Sequence, residues 1–169
     1  APWTLLVYIL NKQSPKKNFK LSNIIQNKKE IEDLLKIIEK FIFIHIEQQI
    51  KSGADTIQLF DSWAGLLNKK NLNKYCYQPN KRLVQKIKKK YPKIPIICFP
   101  KGINKNIIKF CSVVRPDCLS IDSKVNVDLI NKKIPQKIVI QGGLDPKLLL
   151  SNKKQREKKT LFYLNKFKH

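Results

Sequence analysis

Within GADTIQLFDSWAG (Gly53–Gly65), an apolar run from Thr56 to Phe60 stops abruptly at Asp61, Ser62 and Trp63. An acid, a hydroxyl and an indole at the end of a buried strand could handle a proton, hydrogen-bond an anion and pack on a flat ring. Other apolar runs end in Pro100-Lys101-Gly102, in Asp122-Ser123 and in Gln141-Gly142-Gly143. Lys101 could draw in a carboxylate, and Asp61 and Asp122 could line a pocket. Each has an ordinary competitor. Asp61 suits the cap of a helical turn or a supporting place behind the pocket, Ser62 a cap, Asp122 and Asp145 the ordering of loops, and Trp63 simple packing. Lys101 also suits a solvated surface. His45 lies beside Phe41, Ile42 and Ile46 at helical spacing and reads as a helix-face residue rather than a base or ligand.

Metal and thiol chemistry find little support. Cys76, Cys98, Cys111 and Cys118 make no CxxC pair and have no His at a zinc-like interval. Cys98 and Cys118 fall inside apolar strand-like runs, where a free thiol behaves as a small hydrophobe. Four reduced cysteines are expected, not a disulfide framework.

The elements that must position these groups follow from hydrophobic periodicity. Pro2 suits the first turn of a helix through Trp3, Leu6 and Leu10, and Lys12–Lys29 is polar and loop-like, with Pro15 and Asn27 as breakers. Ile31, Leu34, Leu35, Ile38, Phe41, Ile42 and Ile46 recur at helical steps from Glu30, with Gly53 as a stop. Strands are expected at Thr56–Phe60, Lys93–Phe99, Cys118–Asp122 and Lys137–Gln141. Helices are expected around Lys81–Lys90, at Ile107 to Cys111, at Val127–Asn131 and over Ser151–Lys168, the last with Leu161, Leu164 and Phe167 facing inward. Strands without polar alternation predict burial on both faces and hence a parallel α/β sheet. Both a (β/α)8 barrel and a doubly wound sheet put functional groups at such strand ends.

Length suits one domain with its own core. The net charge of +23 suggests nucleic acid, but only three of the 35 basic residues are Arg, and the Lys runs come with abundant Asn and Ile. Dispersed lysines on solvated helix faces fit composition drift better than an Arg- and aromatic-rich binding stripe. A polyanionic small substrate remains compatible with that charge. No stretch reads as a signal peptide or membrane span, so a cytoplasmic location is expected. The absence of Met and the count of four strand–helix units suggest a piece of a longer chain.

Four segments in order, APWTLLVY (Ala1–Tyr8), GADTIQLFDSWAG (Gly53–Gly65), FPKG (Phe99–Gly102) and IQGGLDP (Ile140–Pro146), resemble the uroporphyrinogen decarboxylase family. That resemblance implies a (β/α)8 TIM barrel, here incomplete over residues 1–169 with its fourth to seventh strands and truncated at both ends. It implies removal of the four acetate carboxyls of uroporphyrinogen to give coproporphyrinogen, without metal or organic cofactor. Substrate-binding roles carry over to Tyr8 and Ser62. Asp61, Lys101 and Asp122 remain possible pocket residues. The family's catalytic Asp, its Arg-rich segment and its GHG histidine match no position here, and His169 lacks the glycine neighbours. Gly143 stands where the family usually has Asn. The tetrapyrrole is the implied partner and a homodimer a possible assembly of the longer protein, with no nucleic acid or membrane partner. Alone, the chain is expected to be inactive, with two unpaired sheet edges and a bared apolar face that favour aggregation over a tight fold. A zinc-dependent thiol methyltransferase of the same superfamily and a basic nucleic-acid module are the alternatives. The first needs a His-x-Cys or Cys-Gly-His-like cluster that the sequence does not contain.

Overall fold

The computed structural model describes residues 1–15, 22 and 27–167; the rest of the polar Lys12–Lys29 stretch, and Lys168 and His169, lie outside the described residues. Helix α1 (Pro2–Asn11) has Pro in its first turn and ends where Lys12 turns left-handed. Helix α2 (Lys28–Lys51) begins at Asn27, whose side chain accepts from the Lys29 and Glu30 amides and donates back to the Glu30 carboxylate at 2.6 Å. Asn27 is therefore a helix start rather than a mere breaker. The stripe of Ile31, Leu35, Ile38 and Ile46 is buried, and Gly53, at φ 98°, follows the last turn.

Strands β1 (Ile57–Asp61), β2 (Ile96–Pro100), β3 (Cys118–Ile121) and β4 (Val139–Gly142) form one parallel sheet in sequential order. Helices α4 (Gln78–Lys90), α5 (Ile107–Val114) and α6 (Val127–Lys133) make the crossovers between them, and α7 (Lys153–Lys166) follows β4. The register pairs Phe60 with Phe99 and Leu119 with both Cys98 and Ile140. The sheet is strongly coiled. Gln58 on β1 and Gln141 on β4 lie on its outermost strands, about 14 Å apart in a flat sheet, yet their amides hydrogen-bond at 3.3 Å. This is an incomplete (β/α)8 barrel.

The convex face is covered, and the concave face is buried only along β3, at Cys118 and Ser120. Ile57, Leu59, Ile96, Cys98, Leu119 and Ile121 are buried against the helices, each large side chain contributing roughly 1.5–3 kcal/mol. On the concave face Gln58 and Phe99 are half-exposed and Phe60 is 51% exposed. The expected burial on both faces holds for β3 and is corrected for the other strands: continuous apolar strands mark a barrel interior whose far wall these residues do not supply.

Three other expectations change. Asn68–Tyr77, unassigned in the sequence, holds a short helix, α3 (Lys69–Leu72), capped by Asn68, and one π-helical turn (Asn73–Tyr77) that buries Tyr75, Cys76 and Tyr77. In α7, Leu161 and Leu164 are 57% and 60% exposed, and of the three residues expected to face inward only Phe167 packs on the core. The lysines of α4 are not all bland surface. Lys90 pairs with Glu47, Lys86 sits 4.0 Å above the Phe43 ring, and Arg82 makes a two-pronged contact with Glu39 at 2.6 and 2.8 Å. Together they lace α4 to α2, though exposed pairs of this kind add only about 0–1 kcal/mol each.

Candidate active-site rim

The strands all point their C-terminal ends at one rim, where the quoted motifs meet. Strand alternation decides what Asp61 can do. Ile57, Leu59 and Asp61 share the helix-covered face, so Asp61 turns away from the concave side. It is 1% exposed, accepting from the Thr4 hydroxyl at 2.9 Å and from the Asn80 amide at 3.0 Å. The pocket-lining reading of Asp61 is therefore corrected; of its competitors, the cap fails, since no side-chain cap bond starts the 3-10 turn Ala64–Leu66, while a supporting place behind the wall agrees with these bonds. Burial pushes the Asp61 carboxyl above its ordinary range, against the opposing pull of the Ala1 amino group and the hydrogen bonds from Thr4, Cys76 and Asn80.

The first turn of α1 grips the Phe60–Trp63 segment. The Ala1 amino group donates to the Phe60 carbonyl at 2.9 Å, and the Trp3 indole N–H donates to the Trp63 carbonyl at 2.9 Å. The Trp63 amide donates to the Thr4 hydroxyl at 3.3 Å. APWT and FDSW are thus two halves of one clasp. Ser62 lies inside it, half-buried, and Tyr8, 38% exposed, meets the Trp63 ring edge-on at 6.3 Å between centroids. Trp63 packs as expected, although its own indole N–H is enclosed without a partner.

The clasp continues around the rim. The Gly65 amide donates to the Lys101 carbonyl at 2.9 Å, and the Lys101 amide donates to the Asp61 carbonyl at 3.2 Å. A Cβ on Gly65 would lie 3.0 Å from the Gly102 backbone, which explains why both motifs carry glycine there. Asp122 accepts from the Gly102 amide at 2.9 Å and from the Lys124 amide at 3.1 Å, ordering two loops. The Gly143 amide donates to the Ile121 carbonyl at 3.0 Å. Asp145 caps the turn Pro146–Leu150. Lys101 is exposed, and its ammonium pairs with no acid among the described residues.

Inside the rim, Phe60 and Phe99 meet edge to face at 6.2 Å on the concave side, above the Gln58–Gln141 pair. Sequence reading missed these aromatics as site residues, although each directly precedes a quoted polar group. It also missed Thr4 and Asn80, whose partners lie 57 and 19 residues away. The Gln58, Phe60 alternation on one face was the available signal.

Two hollows lie away from the rim. One of about 770 Å3 separates α2 from α4, and both its acids are already taken, as Lys74–Glu32 and Arg82–Glu39. An apolar groove between α1 and α2 is lined by Leu5, Ile9, Ile37, Phe41 and His45. The four cysteines are free and buried, and burial pushes each thiol up, Cys111 to about 11. Among the described residues no group of three His, Cys, Asp or Glu side chains could hold a metal ion, and no helix is long and apolar enough to cross a membrane.

A family model described as uroporphyrinogen decarboxylase matches residues 1–169. Uroporphyrinogen decarboxylase of Rickettsia rickettsii (strain Sheila Smith) is 39% identical over 170 residues, covering 99% of this chain and 49% of that protein. The protein of the same name from Rickettsia akari (strain Hartford) is 40% identical over 155 residues, 90% of this chain and 45% of that protein. The chain spans about half the length of the curated relatives it matches. With its motifs joined along one rim and matched over its whole length, the chain belongs to the uroporphyrinogen decarboxylase family.

Proposed function

We propose that this chain forms one wall of a cofactor-free decarboxylase site that converts uroporphyrinogen to coproporphyrinogen in porphyrin synthesis. The observation that carries the reading is the continuous rim above an exposed aromatic pair, Phe60 and Phe99. A tetrapyrrole offers flat apolar rings to the aromatics and eight carboxylates to donors at the edge. Tyr8 and Ser62 are the neutral donors, each worth roughly 1.5–3 kcal/mol toward a charged group. Lys101 and the net charge of +23 draw the polyanion in.

The chemistry is electrophilic. A pyrrole carbon takes a proton, the ring becomes an electron sink, and the neighbouring acetate loses carbon dioxide. A second proton then completes the methyl group as the ring proton leaves, so each carboxylate is exchanged for one proton overall. An oriented carboxylate must stabilise the cationic ring. Asp61 cannot supply it, because both its oxygens are enclosed and already accept hydrogen bonds. That group comes from outside these residues, so the purified chain turns over no uroporphyrinogen. The protein works in the cytoplasm, pairs as a homodimer in its longer form, and takes neither nucleic acid nor membrane as partner.

Titration with uroporphyrin I, the unreactive oxidised ring, tests the wall. Ser62→Ala and Tyr8→Phe are each expected to weaken binding by about tenfold. Binding that both substitutions leave unchanged would overturn the assignment, as would turnover by the 169-residue chain itself.

A further inference from the structure

The Thr4 hydroxyl ties Asp61 to the backbone of the turn that follows it. The Thr4 hydroxyl accepts from the Trp63 amide at 3.3 Å and donates to Asp61 Oδ1 at 2.9 Å. The two Asn80 amide hydrogens go to Asp61 Oδ2 at 3.0 Å and to the Cys76 carbonyl at 2.8 Å, which leaves the Asn80 Oδ1 buried without a partner. Turning the amide over would set its oxygen against the Cys76 carbonyl, which has no hydrogen to give, so the amide is held in the orientation that serves Asp61. The relay joins α1, β1 and α4 through side chains that are all buried.

Thr4 also stands between the two hydroxyls assigned to substrate. Tyr8 lies one turn further along the same face of α1. Ser62 is flanked by Asp61 and Trp63, whose side chain and amide are the two partners of the Thr4 hydroxyl. Rotating α1 against the Asp61–Trp63 turn would change the separation of those hydroxyls, and the Thr4 bonds resist that rotation.

We infer that Thr4 and Asp61 are positioning residues for tetrapyrrole binding: they touch no substrate but set the spacing of Tyr8 and Ser62. The inference rests on the binding roles proposed for those two residues. A purely structural bond would add stability alone; a positioning bond changes affinity in protein that is still folded.

The two tryptophans of the chain, Trp3 and Trp63, both belong to the clasp, so emission and amide exchange report on it directly. Thr4→Val keeps the shape and removes the hydroxyl. With far-UV circular dichroism unchanged, it is expected to speed exchange of the Trp63 amide about tenfold and to weaken uroporphyrin I binding about fivefold. Thr4→Ser is expected to restore both to within about twofold. Parental affinity in Thr4→Val, or failure of Thr4→Ser to restore it, overturns the positioning role. A parent chain that protects the Trp63 amide yet binds no uroporphyrin I overturns the tetrapyrrole reading instead, and the positioning role with it. Should Thr4→Val not fold, Trp3→Phe removes the donor to the Trp63 carbonyl together with part of the buried indole, leaves Trp63 as sole reporter, and is judged by the same two readings.

Discussion

The two ends of the sheet are built to different standards. At the β1 end, Trp3, Leu6 and Val7 are fully buried, Trp3 stacks on Tyr75 at 5.8 Å, and the strand end is tied to α1 by both backbone and side-chain bonds. At the β4 end, Val139 is 64% exposed, α7 buries no residue fully, and contact is made through Tyr163, Phe167 and the Asn131–Lys166 bond at 2.7 Å. Both ends carry family motifs, so motif density does not predict packing. What differs is the number of elements that converge. α1, α4 and the π-helical turn all close over β1, while β4 has α6 and α7 on one side. The β1 end should therefore set the stability of the whole chain and the β4 end should yield to substitution.

Trp3→Ala is the hardest blow to that contrast. It empties a fully buried indole site and strands the Trp63 carbonyl, and is expected to cost about 3–5 kcal/mol. Leu164→Ala on α7 is expected to stay within about 0.5 kcal/mol. Urea unfolding followed by circular dichroism measures both, and similar midpoints for the two variants would erase the contrast. A smaller loss of about 1–3 kcal/mol is expected for Gly65→Ala, because the new methyl would meet the Gly102 backbone at 3.0 Å and no side chain is there to swing aside. The thermal midpoint reads this; Gly65 is not left-handed, so its cost is steric, whereas Gly53→Ala, at φ 98° with nothing within 4 Å, shows the cost of left-handed backbone strain alone.

Asp61→Asn sharpens the comparison through pH. Burial raises the Asp61 carboxyl in the folded protein from its usual 3.8, so the neutral form is the one the fold prefers. Its contribution is fully present below the unfolded value and is lost as pH rises through the folded one. The stability of the parent relative to Asp61→Asn is therefore expected to fall as pH rises above the ordinary carboxyl value of 3.8. A difference that rises with pH over that range would show that the donors from Thr4 and Asn80 outweigh burial.

Much of this was legible in the letters. The four strands stand where continuous apolar runs placed them, within three residues at their starts, and Pro2 and Gly53 mark helix ends as their chemistry requires. Asn68–Tyr77 escaped because its Lys and Asn residues resemble a loop, while Leu72, Tyr75 and Cys76 carry a helical stripe too short to stand out. Leu161 and Leu164 misled because apolar spacing reports an amphipathic face, not what covers it. The clasp was invisible for another reason. Thr4, Asp61 and Asn80 are single polar residues that pair across the fold, and no local period announces a partner 57 residues away.

The subtlest test concerns the β4 end, where Gly143 replaces the Asn that the resemblance leads one to expect. Gly143 has φ 90°, and a Cβ there would lie 3.2 Å from both the Ile121 side chain and the Tyr163 ring. Asn tolerates a left-handed backbone better than most residues, so the obstacle is the ring rather than the torsion. Tyr163 rides on the loosely held α7, which can shift by a few tenths of an ångström. Gly143→Asn is therefore expected to cost less than 1 kcal/mol, and Tyr163→Ala to relieve it with a coupling of about 0.5 kcal/mol or more in a double-mutant cycle. Additive effects would mean that the torsion alone penalises Asn. A cost as large as that of Gly65→Ala would mean that the β4 rim is as rigid as the β1 rim, and that packing at the two ends differs only on the surface.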